Sequence, residues 1–170
     1  MVILYVILGI LVLLAAVLLI NAALVTSRAR KLGGEHPTFT EEALKTYGET
    51  FSRMLRCATV SHKEGHDDTE FAKLRAVVEE DFPLLHEKAQ RLLLAEDCWL
   101  YKIPGKDDSR NILLMSHHDV VPADTDWTMP AFDGIIKDGK VYGRGAADTK
   151  GSLCAILFGM EEMLREGTTP

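Results

Sequence analysis

Residues 2–25 are aliphatic almost without a break, interrupted only by Tyr5, Gly9 and Asn21. Such a stretch has few solutions, because a backbone surrounded by apolar side chains must satisfy its own hydrogen bonds, and a helix does so within one segment. Its 24 residues would rise about 36 Å as a helix, enough to cross a bilayer with some tilt. The expectation is a transmembrane helix or signal anchor over residues 1–26, making this a single-pass membrane protein. A cleaved secretory signal is the alternative. Its apolar region would be shorter, a basic leading region is missing, and no small-x-small site precedes Arg28. Arg28, Arg30 and Lys31 favour a cytoplasmic location for the following side, but large domains are exported despite such a bias, so the side stays open. Residues 27–38, with Gly33, Gly34 and Pro37, read as a linker.

The remainder, residues 39–170, suits one domain with its own core. With 25 acidic and 19 basic residues the chain carries a net charge of −6 and no basic stripe, which argues against nucleic acid as a partner. Cys57, Cys98 and Cys154 lack the paired spacing of a zinc ribbon or redox dithiol and read as small buried apolar residues. A Cys57–Cys98 pairing in an oxidising compartment stays open.

Thr40, Glu41 and Glu42 mark a helix start, and Leu44, Tyr47, Phe51, Met54 and Leu55 give it one apolar face through about Cys57, expected to lie on a sheet. A polar turn around Gly65 follows, with His62 and His66 read as solvated. Phe71, Leu74, Val77 and Val78 predict a second helix from Thr69 towards Phe82. Residues 92–94 and 98–103 are strand-like, and residues 112–115, apolar on both faces, read as a central buried strand. Residues 135–142 form a hairpin pattern turning at Asp138-Gly139, and a last helix is expected from about Thr149 to Arg165. The class is α/β, a sheet with helices packed on it.

His117 comes straight after the expected buried strand and Asp119 two residues later, so in extended backbone both side chains share a side while His118 faces the other. If His117 binds a metal through one ring nitrogen, Asp119 can hold the tautomer from the other; the plainer account is a polar loop at a strand end. Trp127 and Phe132, in the loop that follows, read as packing residues. Gly143 and Gly145 allow close backbone approach, and Asp148 sits where a helix begins. Asp148 is then either an N-cap or a carboxylate bridging two metal ions. A phosphate loop fails on residue order, since Lys150 precedes Gly151 instead of following a glycine.

Taken together, Leu113-Leu114-Met115-Ser116-His117-His118-Asp119-Val120-Val121-Pro122 and Gly143-Arg144-Gly145-Ala146-Ala147-Asp148-Thr149-Lys150-Gly151 resemble the two N-terminal signatures of metallopeptidase family twenty. That family holds aminoacylase, acetylornithine deacetylase, succinyl-diaminopimelate desuccinylase and the Gly-X carboxypeptidases. The resemblance runs over about residues 40–170, and Phe82-Pro83-Leu84 with the loop from Trp127 to Phe132 looks most like the carboxypeptidase and N-fatty-acyl amino acid hydrolase branch. It implies the N-terminal part of a three-layer α/β catalytic domain of the zinc-peptidase (phosphorylase/hydrolase-like) fold. It further implies two zinc ions per complete domain, with His117 and Asp148 as metal ligands, Asp148 bridging, and Asp119 as the catalytic residue that orients His117.

Substrates on this resemblance are peptides or N-acyl amino acids, cleaved at the amide by metal-activated water. The family's general base, a glutamate in a Glu-Glu pair, and the remaining ligands would lie beyond Pro170. Glu161 and Glu162 are adjacent too, but read as the solvated face of the last helix. His118 stands where the family is usually apolar. The expectation is therefore an N-terminal fragment, inactive by itself, of a membrane-anchored hydrolase. The alternative is a truncated, non-catalytic binding or structural module tethered to the membrane.

Overall fold

The computed structural model describes residues 2–32, 38–63, 65–95, 98–107 and 109–170. They fall into two units, Met1–Phe39 and Thr40–Pro170. The first holds helix α1 (Val2–Leu32), whose 26-residue stretch Val2–Ser27 contains an 18-residue window of mean hydropathy 3.3, long and apolar enough to cross a membrane. A signal sequence meets the same test. Of the expected linker 27–38, residues 27–32 continue helix α1 instead, and residues 33–37 lie outside the described residues.

In the second unit the amphipathic segments fold as their periodicity demands. Helix α2 (Glu41–Arg56) starts at Thr40, whose hydroxyl accepts from the Ala43 amide at 3.1 Å, with Glu41 and Glu42 against the positive end of the helix. Strands β1 (Ser61–His62) and β2 (Gly65–His66) make a short ribbon. Helix α3 (Asp68–Asp81) begins one residue before Thr69, capped by the Asp67 carboxylate on the Thr69 amide at 2.9 Å. Pro83 opens a further short helix, α4 (Pro83–Lys88), a position where its missing N–H costs nothing. The hairpin of β3 (Gln90–Ala95) and β4 (Cys98–Lys102) is antiparallel, as is that of β5 (Ile135–Lys137) and β6 (Lys140–Tyr142). The second hairpin turns at Asp138-Gly139, where both residues have positive φ, 51° and 70°. Helix α5 (Gly151–Arg165) closes the unit.

The core is chiefly helix on helix. Met54, Leu74, Val78, Phe82, Leu85, Leu157 and Phe158 are buried together, with the Phe82 ring edge-on to Phe158 at 4.9 Å. Trp99 and Tyr101 of β4 lie against this cluster, and α2 packs both on helices α3 and α5 and on the β5–β6 hairpin, so the sheet its apolar face suggested is met as a two-stranded one. Glu161 belongs to the same interior, contrary to the reading of it as solvated. Its two carboxylate oxygens accept from the Leu84 and Leu85 amides at 3.1 and 2.9 Å, supplying partners to the first turn of α4. Glu162 stays at the surface and pairs with Arg165 at 2.9 Å.

Residues 112–115 are not a buried strand; they form no regular element and their side chains are exposed. A strand apolar on both faces needs a neighbour along its edges and a layer over each face, and among the described residues none pairs with it. Parallel pairing begins further on, at the bridge between Val60 and Val120. The described architecture is mixed α/β with three two-stranded sheets. All three cysteines are free: Cys57 and Cys154 are buried as expected, whereas Cys98 is exposed and the Cys57–Cys98 pairing is not made.

Candidate metal centre

The histidine segment is fixed at its far end. Val120 donates to the Thr59 carbonyl at 2.9 Å and accepts from the Ser61 amide at 3.1 Å, while the Thr59 hydroxyl donates to the His118 carbonyl at 2.6 Å. These bonds tie the segment to the chain just beyond α2 and keep its side chains alternating. His118 turns away, its ring stacked on Trp99 at 5.1 Å with Phe71 edge-on at 5.4 Å, which explains how an imidazole is accommodated there. His117 faces a cleft of about 360 Å³ bordered by Asp119, Trp127, Arg144 and Asp148.

Both ring nitrogens of His117 face acceptors. Nδ1 lies 3.0 Å from the Asp119 carbonyl and 3.2 Å from its carboxylate; Nε2 lies 3.0 Å from Asp148 Oδ1. Burial works against the imidazolium, but the Asp148 hydrogen bond, the Asp119 carbonyl and the two carboxylate charges outweigh it, raising the pKa above the ordinary 6.5. The expected pairing of Asp119 with His117 is present, and Asp148 is brought to the opposite nitrogen from 31 residues away.

Asp148 is not an N-cap. It lies inside a widened helical turn, Ala146–Lys150, with non-helical φ and ψ of −127° and 92°, its peptide bond to Thr149 is cis, and α5 starts only at Gly151. Gly145 sets up this turn with φ of 86°; a Cβ there would come within 2.7 Å of Val120 Cγ1, so the close backbone approach anticipated for this glycine is used against the histidine segment. The two segments are also sewn together by hydroxyls. Ser116 reaches the Thr149 carbonyl at 3.0 Å and hydroxyl at 2.7 Å, and the Thr149 hydroxyl donates to the His117 carbonyl at 3.0 Å.

Two features escaped the sequence. Lys150, weighed there only as part of a phosphate loop, is fully buried and donates through Nζ to the Met54 and Cys57 carbonyls at 3.1 and 2.6 Å. Burial lowers its pKa to about 8. Trp127 borders the cleft and carries the Arg144 guanidinium 4.9 Å above its ring, a cation–π contact, while Arg144 also donates to the Pro122 carbonyl at 3.2 Å. Phe132 instead borders a separate shallow surface beside Arg56. His66 pairs with Asp68 at 3.1 Å. Among the described residues no group of three or more His, Cys, Asp or Glu side chains is gathered for a metal ion.

Comparison with known proteins bears on this geometry. Residues 113–170, which contain both the histidine segment and the Asp148 turn, match the model of peptidase family M20/M25/M40. The chain is 34% identical over 169 residues to the N-fatty-acyl-amino acid synthase/hydrolase of Mus musculus, covering 92% of this chain and 33% of that protein. It is 32% identical over 164 residues to a probable carboxypeptidase S-like protein of Dictyostelium discoideum, covering 90% of this chain and 32% of the other. The chain thus spans about a third of the length of the curated relatives it matches. The crystal structure of human carnosine dipeptidase 1 superposes with a TM-score of 0.55 at 20% identity, over 74% of this chain and 29% of that one, a likeness of fold.

Proposed function

The chain belongs to peptidase family M20/M25/M40, and from that premise we propose that it forms part of a two-zinc hydrolase cleaving the amide bond of peptides or N-acyl amino acids. The observation that carries this reading is the placing of His117 between Asp119 on Nδ1 and Asp148 on Nε2. Imidazole nitrogen and carboxylate oxygen are a donor set suited to zinc, and a histidine ligand whose second nitrogen meets a carboxylate is the arrangement that fixes tautomer and ring orientation. His117 and Asp148 would hold the metal, Asp148 as the bridge between two ions. Zinc bound there would supply Lewis acidity to an amide carbonyl and acidity to a water.

Asp119 keeps the proton on Nδ1 and leaves Nε2 as the liganding atom. Trp127, with Arg144 stacked on it, walls the cleft on which the substrate would lie. The general base lies elsewhere, because Glu161 is committed to the α4 amides and Glu162 to Arg165. With two donors and no base gathered at the site among the described residues, residues 1–170 by themselves are expected not to turn over substrate. Helix α1 serves as a single-pass membrane anchor, on a side its own residues leave open.

The test is hydrolysis of N-acyl amino acids and dipeptides by the complete protein, before chelation, after it, and after zinc is restored. The reading expects activity to vanish and return, and to fall at least about 100-fold in His117→Ala, more than is typical for loss of a supporting residue around a metal. Activity indifferent to chelation contradicts it. Complete absence of hydrolysis with zinc present favours the tethered, non-catalytic module instead.

A further inference from the structure

We propose that Lys150 is a positioning residue for the metal centre, clamping the Asp148 turn onto the C-terminal end of α2 so that Asp148 stays opposite His117. The inference rests on the reading of His117 and Asp148 as metal ligands. Asp148 has little of its own to hold it: its side chain is 86% exposed and the backbone at Asp148 and Thr149 departs from helical geometry. Two residues later the chain is fully anchored. Lys150 places its ammonium on the Met54 and Cys57 carbonyls, 96 and 93 residues away in sequence. The Met54 carbonyl has no continuing helical donor, because the Ala58 amide is turned to the Glu70 carboxylate at 2.8 Å. A helix C-terminus also carries partial negative charge, so a buried cation is favoured there.

The rest of Lys150 is held as firmly. Its amide donates to the Gly145 carbonyl at 2.9 Å, and its stem packs beside Gly145, where an added Cβ would lie 3.4 Å from Lys150 Cδ. A Cβ on Gly151 would collide with the Ala146 carbonyl, so the turn has no room to slide towards α5. Between Asp148 and Lys150, Thr149 is bonded to Ser116 and His117, so the lysine and the threonine hold the same C-terminal side of the turn. The lysine therefore joins α2, which is packed in the core, to the turn that carries the carboxylate. Nothing in this role requires Lys150 to touch substrate or metal.

The experiment compares the complete protein, stripped of metal, with Lys150→Met, which keeps the stem but lacks the donors, and with Leu74→Ala, which weakens the core from α3. Zinc titration by calorimetry is expected to give at least a tenfold loss of affinity in Lys150→Met, and wild-type affinity in Leu74→Ala despite its lower melting temperature. Unchanged affinity in Lys150→Met, or an equal loss in Leu74→Ala, overturns the proposal. A wild type that binds no zinc overturns the metal reading of the site. In that case the imidazole ¹⁵N signals of His117 in the metal-free protein still decide the positioning role: loss of the Nε2 hydrogen bond in Lys150→Met upholds it, and an unchanged signal refutes it. Should Lys150→Met fail to fold, Lys150→Gln, whose shorter side chain cannot serve both the Met54 and Cys57 carbonyls, takes its place in both measurements with the same outcomes.

Discussion

Ile112, Leu113, Leu114 and Met115 are as apolar as Met54, Leu74, Phe82 and Leu85, yet the first four are 57–91% exposed and the second four are fully buried. Hydrophobicity is the same in both regions; what differs is the availability of partners. The helices present stripes at spacings of three and four, and α2, α3, α4 and α5 find one another within the described residues. A strand apolar on both faces depends on partners along its edges and layers over its faces, and residues 112–115 pair with none of the described residues. The candidate metal centre sits on the seam between these regions. His117 continues the exposed run, while the Asp148 turn is fastened through Lys150 to the buried one.

Substitutions should separate the two regions sharply. Phe82→Ala is expected to cost about 3–5 kcal/mol of unfolding free energy, because it leaves a cavity at the centre of the helical cluster. Met115→Ala should stay within about 0.5 kcal/mol. Urea denaturation of both variants is the check, and a comparable loss at Met115 would mean that the open run is packed after all.

Next in size is the effect of pH through Lys150. Its pKa is 10.5 unfolded and about 8 folded, so between these values the unfolded chain binds more protons and stability rises with pH. The rise is of order 3 kcal/mol for the full window, at about 1.36 kcal/mol per pKa unit. The difference in unfolding free energy between wild type and Lys150→Met, followed from pH 7 to 11, isolates it from the tyrosines and cysteines that titrate in the same range. A flat difference contradicts the burial of the ammonium.

Glu161→Ala should cost about 1–3 kcal/mol, since it strands two amides at the start of α4. Faster hydrogen exchange at Leu84 and Leu85 is the accompanying signature. The smallest expected effect lies on the open side. In the metal-free protein the His117 imidazole titrates above 6.5, and Asp148→Asn brings it down. The stabilisation from this raised pKa is complete below 6.5 and is lost as pH rises through the folded value, and NMR titration of the ring protons reads it.

How much of this was legible in the sequence follows the same division. Helices α2 and α3 and the Asp138-Gly139 hairpin could be read because periodicity and turn chemistry are local. So could the pairing of His117 with Asp119, which needs only extended backbone over three residues. The 112–115 run misled, because its pattern reports a strand that the described residues do not supply with partners. Glu161 was misread although the signal was present: it follows Leu157 by four and Phe158 by three, on the stripe that begins at Cys154 and ends at Leu164. Pairing it with its neighbour Glu162 ignored the turn of about 100° between successive helical residues. Lys150 left no local trace, since its partners are backbone carbonyls more than 90 residues upstream, a contact that no side-chain pattern encodes.

The most direct test of the whole account is a crystal structure of the complete protein loaded with zinc, with diffraction recorded on both sides of the zinc absorption edge. The account predicts an anomalous peak at about 2.0–2.2 Å from both His117 Nε2 and an Asp148 carboxylate oxygen, with Asp119 still on Nδ1. Zinc bound elsewhere, with the His117–Asp148 hydrogen bond intact, would contradict it.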